Sequence, residues 1–121
     1  MALPSIVDLK APGTSVPSPI DPARLLAGTP VAAVDNRYSD PNGRFHCGMW
    51  SSTPGTWRVV YTEHEFCVLL KGHVRLTSDD GVVAEFSTGS AFVIPSGYQG
   101  RWETIEDTTK YYVIYEPAVE A

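Results

Sequence analysis

The chain has 121 residues and a mass of 13.2 kDa, which predicts a single domain with one hydrophobic core. Hydrophobic residues make up 43% of it, too many for a disordered chain, and ten Gly with ten Pro favour a turn-rich β architecture over a helix bundle. The formal charge of −5 and the pI near 5.0 make nucleic acid and anionic membranes poor partners.

The N-terminal residues, MALPSIVDLKAPG, place prolines and charges where a signal peptide needs an apolar stretch. The longest apolar run in the chain, residues 66–70, is far too short to span a membrane. We therefore expect a cytoplasmic protein without a membrane partner. The two cysteines, Cys47 and Cys67, form no CxxC motif and are predicted to be buried thiols.

Residues 1–43 differ in composition from the rest, because six prolines fall between Pro4 and Pro30. This composition predicts an irregular N-terminal arm that belongs to the same fold as the remaining residues. Within the arm, Asp21 as N-cap, a proline at the next position and Gly28 as terminator predict one short helix. Residues 36–43, NRYSDPNG, carry two turn signals.

Residues 44–121 are predicted to form the β domain, since short runs rich in Val, Tyr, Phe, Trp and Thr alternate with turn residues at intervals of about ten. The predicted strands are 44–51, 56–62, 65–71, 73–78, 82–87, 91–94, 100–105 and 110–116. Hairpin turns between antiparallel strands are predicted at two short segments that end in glycine, residues 71–72 and residues 79–81.

Two spaced motifs connect this pattern with a known family. Glu65 to Gly72 reads Glu, six residues, Gly, and Gly89 to Gly97 reads Gly, five residues, Pro, one residue, Gly. With this spacing the chain resembles the cupin superfamily, which implies an all-β, single-domain jelly-roll barrel, the double-stranded β-helix. Residues 55–72 (GTWRVVYTEHEFCVLLKG), 92–102 (FVIPSGYQGRW) and 110–114 (KYYVI) further resemble the subfamily related to the cupin domain of ureidoglycine aminohydrolase.

The resemblance also has implications for metal binding. Metal-binding cupins place three histidines and one glutamate around an ion, and Glu65 stands at the glutamate position. The histidine positions carry other residues, namely Val59 and Tyr61, or Arg58 and Val60 in the alternative register, and Gly100. A lone carboxylate does not hold a transition metal, so no metal ligand and no cofactor is predicted.

Glu65 is the first candidate for a functional residue. It precedes the most apolar predicted strand, where an uncompensated carboxylate is costly, so it must be paired, hydrated or shifted in pKa. Its candidate partners are Lys110 and Arg75. Tyr61, Glu63 and Glu65 share strand parity and can therefore point into one cavity, an arrangement that suits general acid–base chemistry.

The predicted site has a catalytic and a substrate-binding part. The predicted catalytic residues are Glu65, Lys110 and Tyr61, and the predicted substrate-binding residues are Glu63, Trp57, Arg75, Tyr98, Trp102 and Tyr112. Two functions stay open: an enzyme that acts on a small polar ureido or carboxylate compound, and a ligand-binding or sensing module with the same pocket and no turnover. We also expect a homodimer, because open jelly rolls leave edge strands that the arm of a partner can cover.

Overall fold

One curled antiparallel sheet accounts for the regular structure of the computed structural model, which describes residues 2–11 and 13–118. Its nine strands are β1 (Val16–Pro17), β2 (Leu25–Gly28), β3 (Ala32–Ser39), β4 (Phe45–Ser52), β5 (Gly55–Val60), β6 (His64–Ser78), β7 (Val83–Ser87), β8 (Ala91–Ile94) and β9 (Gln99–Tyr115). The predicted all-β, antiparallel fold is confirmed. Met1, Pro12 and residues 119–121 lie outside the described residues, and the division of the chain at residue 43 stays a prediction.

β6 and β9 form the centre of the sheet. They are 15 and 17 residues long and pair with each other along most of their length. β9 also pairs with β5 through its first half and with β4 through its second half, while β7 and β8 cover the two halves of β6. Because side chains alternate between the two faces of a strand, these long strands supply much of the concave face and carry Glu65 and Lys110 there.

The first forty residues contain strands and a turn instead of the predicted short helix. β1 pairs with β3 and β2 pairs with β5, so this part of the chain extends the sheet. The helix prediction is wrong: the backbone carbonyl of Asp21 accepts the N–H of Arg24 at 2.8 Å, and the next four residues form β2. A helix of two turns is marginal by itself, whereas β5 offers these residues backbone partners.

The prediction of a hairpin turn at residues 71–72 is also wrong, because β6 continues through Gly72. The backbone φ of Gly72 is 115°, and the register with β9 shifts on both sides of it. Cys67 and Leu69 are buried before this bulge, and Val74 and Leu76 after it, so one extra residue exchanges the inward and outward faces of the strand. The predicted turn at residues 79–81 is confirmed, since it joins β6 to β7.

A compact apolar core lies beside the cavity described below. It consists of Trp57, Cys67, Leu69, Val74, Leu76, Ile94 and Trp102. The stacked rings of Phe86 and Phe92, with centroids 3.9 Å apart, pack against it. Within residues 2–11 and 13–118, no helix has the length and apolar character needed to cross a membrane.

Substitution of Gly72 by alanine is expected to destabilise the fold strongly. An added Cβ would meet Thr108 Oγ1, would lie 2.7 Å from Thr108 Cα and 2.8 Å from the Asp107 carbonyl oxygen, and would strain a left-handed backbone. We expect Gly72→Ala to lower the free energy of unfolding by about 3 kcal/mol in urea melts, the combined effect of overpacking and strain. Gly81→Ala is the control, since its φ is 89° but nothing lies within 4 Å. Equal losses in the two variants would contradict the assignment of a packed bulge.

Candidate functional site

The concave face of the sheet encloses a cavity of about 510 Å³, which is within the usual size range of small-molecule sites. Its walls come from β3, β4, β5 and β9, from the first residues of β6, and from the segment that precedes β2. Seven of the nine predicted site residues line it: Tyr61, Glu63, Glu65, Trp57, Trp102, Lys110 and Tyr112.

Glu65 and Lys110 form a buried ion pair in the wall of this cavity. Lys110 Nζ donates a hydrogen bond to Glu65 Oε2 at 2.7 Å, and the two residues are only 5% and 6% exposed, respectively. Of the two partners expected for Glu65, the structure therefore shows Lys110. The pair forms because β6 and β9 run antiparallel and present both side chains on the same face.

Two indole rings complete the surroundings of the Lys110 ammonium. Its nitrogen lies 4.4 Å from the ring centroid of Trp102 and 4.8 Å from that of Trp50, in cation–π geometry. Burial by itself lowers the pKa of Lys110, but the charge and hydrogen bond of Glu65 outweigh this effect and raise the pKa above its ordinary value. Lys110 is therefore a fixed positive charge at neutral pH and not a free amine nucleophile.

Cys67 contacts the same carboxylate oxygen. Its thiol donates to Glu65 Oε2 at 3.2 Å, and Lys110 Nζ lies 3.5 Å from the sulfur. Burial raises the pKa of Cys67 to about 12, so the group is a neutral thiol at physiological pH. Because Oε2 receives both donors, Oε1 is the oxygen of Glu65 that is left for a ligand.

Tyr61 lies directly after β5 and is held there by its main chain. Its N–H donates to the Tyr98 carbonyl at 2.9 Å, and its own carbonyl accepts the Gly97 N–H at 2.7 Å. Burial, and then the negative charge of Glu65, raises the pKa of Tyr61 well above its usual value, so its phenol stays protonated. The ring of Tyr98 packs edge-on against Tyr61, with centroids 6.3 Å apart, and supports it from outside the cavity lining.

Arg75 does not reach the cavity. It lies on the outer face, where its guanidinium pairs with Glu85 and with Glu103, the latter at 3.0 Å. Odd-numbered residues of β6 face inward up to Leu69, but the bulge at Gly72 reverses the alternation, and Arg75 therefore points outward. The prediction of Arg75 as a site residue is therefore wrong, because it assumes that β6 is a regular strand.

Several cavity residues were missed by the sequence analysis. Trp50 lies on β4 directly opposite Lys110, and the only sequence signal for it is the parity that it shares with His46 on a predicted strand. Asn36 was expected in a turn but lies on β3, where its Oδ1 accepts the Tyr112 hydroxyl at 2.7 Å. Burial raises the pKa of Tyr112 to about 12, so this phenol is also a donor.

The residues of the site do not fit a metal ion. Glu65 is the carboxylate that a cupin metal would need, but its Oε2 already carries the Lys110 ammonium and the Cys67 thiol. Nowhere in the described part of the chain do three His, Cys, Asp or Glu side chains converge on one point. The positive charge beside Glu65 comes from Lys110. That the protein functions without a metal ion stays a prediction.

Comparison with known proteins gives one family match. A family model for the EutQ-like cupin domain matches residues 39–112, more than half of the chain. No curated protein is significantly similar.

Solved structures share the fold. A protein of unknown function of the DUF861 family from Pseudomonas syringae pv. tomato is 26% identical, with a TM-score of 0.78, over 89% of this chain and 46% of that one. EutQ from Clostridium difficile is 20% identical, with a TM-score of 0.65, over 72% of this chain and 64% of that one. A DUF861 protein from Thermotoga maritima is 23% identical, with a TM-score of 0.53, over 65% of this chain and 96% of that one. The chain thus spans less than two thirds of the first two proteins.

The titratable groups of the cavity predict a loss of stability at alkaline pH. Lys110, Tyr61, Cys67 and Tyr112 all have raised pKa values in the fold. Such a group contributes stability that is complete below its unfolded pKa and is lost as the pH rises through its folded pKa. We expect the free energy of unfolding in urea melts to fall from about pH 9 upward, where the unfolded cysteine begins to titrate.

Tyr112→Phe removes one of these groups, so we expect its unfolding free energy to fall less steeply above about pH 10, the ordinary pKa of tyrosine. Tyr115→Phe is the matched control, because the Tyr115 ring is exposed and lies outside the cavity. A free energy of unfolding that stays constant through this pH range in the wild type would contradict the buried arrangement.

Proposed function

The chain belongs to the EutQ-like cupin family, and from this premise we propose that its cavity binds a small polar molecule at the Glu65–Lys110 pair. The observation that carries the proposal is the burial of two opposite charges in the wall of a cavity. Desolvating such ions costs several kcal/mol each and offsets much of their attraction, so the pair adds little net stability. Ligand binding is the reason that we infer for its presence.

The free acceptors at the pair favour a ligand that carries N–H groups. Glu65 has Oε1 left over, and Glu63 lines the same cavity with a half-buried carboxylate. Together with the resemblance to the ureidoglycine aminohydrolase subfamily, these acceptors support a ureido compound as the ligand. The indoles of Trp57 and Trp102 provide the apolar walls against which such a molecule would lie.

The same geometry supports general acid–base chemistry. A carboxylate within hydrogen-bond reach of a ligand N–H or of a water molecule can accept its proton, and Glu65 Oε1 is placed for this role. Lys110 orients the carboxylate through Oε2. Tyr61, with its protonated phenol, would donate to negative charge that develops on the ligand.

A binding or sensing module without turnover is the second candidate. It is favoured by the rigidity of the pair, because the ammonium is held by one carboxylate and two indoles and the carboxylate by two donors. Groups that are held in place before a ligand arrives lower the entropic cost of binding it, which suits recognition.

Intrinsic fluorescence tests the proposal directly, because all three tryptophans of the chain line the cavity. In titrations with ureido compounds, amino acids and small carboxylates, we expect at least one compound to change the emission. We expect Glu65→Gln to weaken its binding tenfold or more, since it replaces a charged acceptor, an effect of about 1.5 to 3 kcal/mol. Proton NMR of the mixture then separates an enzyme, which consumes the compound, from a binding module.

The control for this titration is Glu85→Gln, because Glu85 pairs with Arg75 on the outer face. Two results would contradict the proposal: none of the compounds changes the emission of the wild type, or Glu65→Gln binds as tightly as the wild type does.

We further propose a homodimer, with the cytoplasm as its compartment. Both cysteines are free thiols, as suits a reducing environment. Leu3 and Ile6 near the N-terminus are 89% and 98% exposed, and Phe66, Val93 and Tyr115 form an exposed apolar patch on the outer face of β6, β8 and β9. Docking of these N-terminal side chains on the patch of a second copy would remove both apolar surfaces from water.

Light scattering tests the assembly. We expect a dimer at micromolar concentration, and a monomer for the double variant Ile6→Asp/Val93→Asp, because a charge would enter the buried apolar contact. Val82→Asp, at an exposed turn residue away from the patch, should stay dimeric. A monomeric wild type would exclude the dimer, and a dimeric double variant would exclude this interface.

A further inference from the structure

Two of the three lysine and arginine side chains that line the cavity are neutralised within the protein. Glu65 neutralises Lys110, and Asp79 holds Arg58 through two hydrogen bonds of 2.8 and 2.9 Å. Arg24 is the remaining cationic side chain among those of lysine and arginine that line the cavity, and in the described part of the chain no acidic oxygen lies within 4 Å of it.

The backbone around Arg24 is fixed although its side chain is exposed. Its N–H donates to the Asp21 carbonyl at 2.8 Å, and its own carbonyl accepts the N–H of Arg58 on β5 at 2.9 Å. Asp21 does not neutralise the guanidinium, and its Oδ1 accepts the Ala23 N–H at 2.9 Å and so closes the turn. A hydrogen-bonded turn thus places Arg24 in the lining of the cavity, and in the described part of the chain its guanidinium has no acidic partner within 4 Å.

Arg24 and the acceptors Glu63 and Glu65 line the same cavity from different segments of the chain. The backbone of Arg24 is hydrogen-bonded to Arg58, which lies within β5, whereas Glu63 comes after the end of β5. A ligand that satisfies both ends needs N–H donors for Glu63 and Glu65 and a negative group for Arg24. A guanidinium binds a carboxylate through two parallel hydrogen bonds, which makes it selective for this group.

We propose that Arg24 is the residue that selects ligands with a carboxylate opposite their N–H-bearing head, by binding that carboxylate at the edge of the cavity. This proposal rests on the proposed function and narrows its ligand class to ureido acids and similar amphoteric molecules. The segment before β2, outside the residues matched by the family model, thereby determines specificity.

Two probes that share a ureido head separate the contribution of Arg24. N-carbamoylglycine carries a carboxylate, and N-methylurea does not. In tryptophan fluorescence titrations we expect the wild type to bind N-carbamoylglycine at least tenfold more tightly than N-methylurea. Arg24→Gln should weaken the binding of N-carbamoylglycine alone, so that the affinities for the two probes become similar. Arg24→Lys should restore part of the difference, because it keeps the charge and loses the paired hydrogen bonds.

Arg101→Gln is the matched control, since Arg101 is also an exposed arginine without an acidic partner in the described chain but does not line this cavity. It should keep the wild-type preference. If Arg24→Gln also keeps it while Glu65→Gln weakens both probes, the role of Arg24 is wrong and the proposed function stands. If the wild type binds neither probe, the role of Arg24 is overturned, and the proposed function is overturned with it only when the amino acids and small carboxylates also leave the emission unchanged.

Discussion

The ion pair between Lys110 and Glu65 is the interaction around which the cavity of this protein is arranged. A buried ammonium is tolerated only if its charge is met on several sides, and here a carboxylate and the faces of Trp50 and Trp102 meet it. The cavity lies beside this pair, and both indoles also line it. In metal-binding cupins a metal ion supplies the positive charge beside the glutamate, whereas in this chain the fold itself supplies it.

A glycine bulge decides which residues share that space. Gly72 lets β6 keep pairing with β9 while its inward and outward faces exchange, so Glu65 points into the cavity and Cys67 into the core beside it, whereas Arg75 points outward. Of the two cationic partners expected for Glu65, the bulge therefore leaves Lys110 and frees Arg75 for the outer-face pairs with Glu85 and Glu103. The bulge at Gly72 is thus the cause both of the irregularity of β6 and of the choice of residues that face the site.

Local patterns predicted the fold and seven of the twenty residues that line the cavity. Turn spacing and the two glycine motifs suffice for an all-β chain. Tyr61, Glu63 and Glu65 line one cavity as predicted, although Tyr61 and Glu63 lie between β5 and β6 and not on one regular strand. Parity fails beyond Gly72, because a glycine with positive φ serves a turn and a bulge equally well. Trp50 and Asn36 enter the site through pairing between distant strands, and no local pattern encodes that register.

The central claim is that Lys110 is a buried, charged partner of Glu65 at a ligand site. Nitrogen-15 NMR of the three lysine ammonium groups tests it most directly. We predict one ammonium signal that is protected from exchange at neutral pH, shifted upfield by the indole rings, absent in Lys110→Met, present in Lys71→Met, and displaced when a ligand binds. Three rapidly exchanging signals at the positions of exposed lysines would contradict the account.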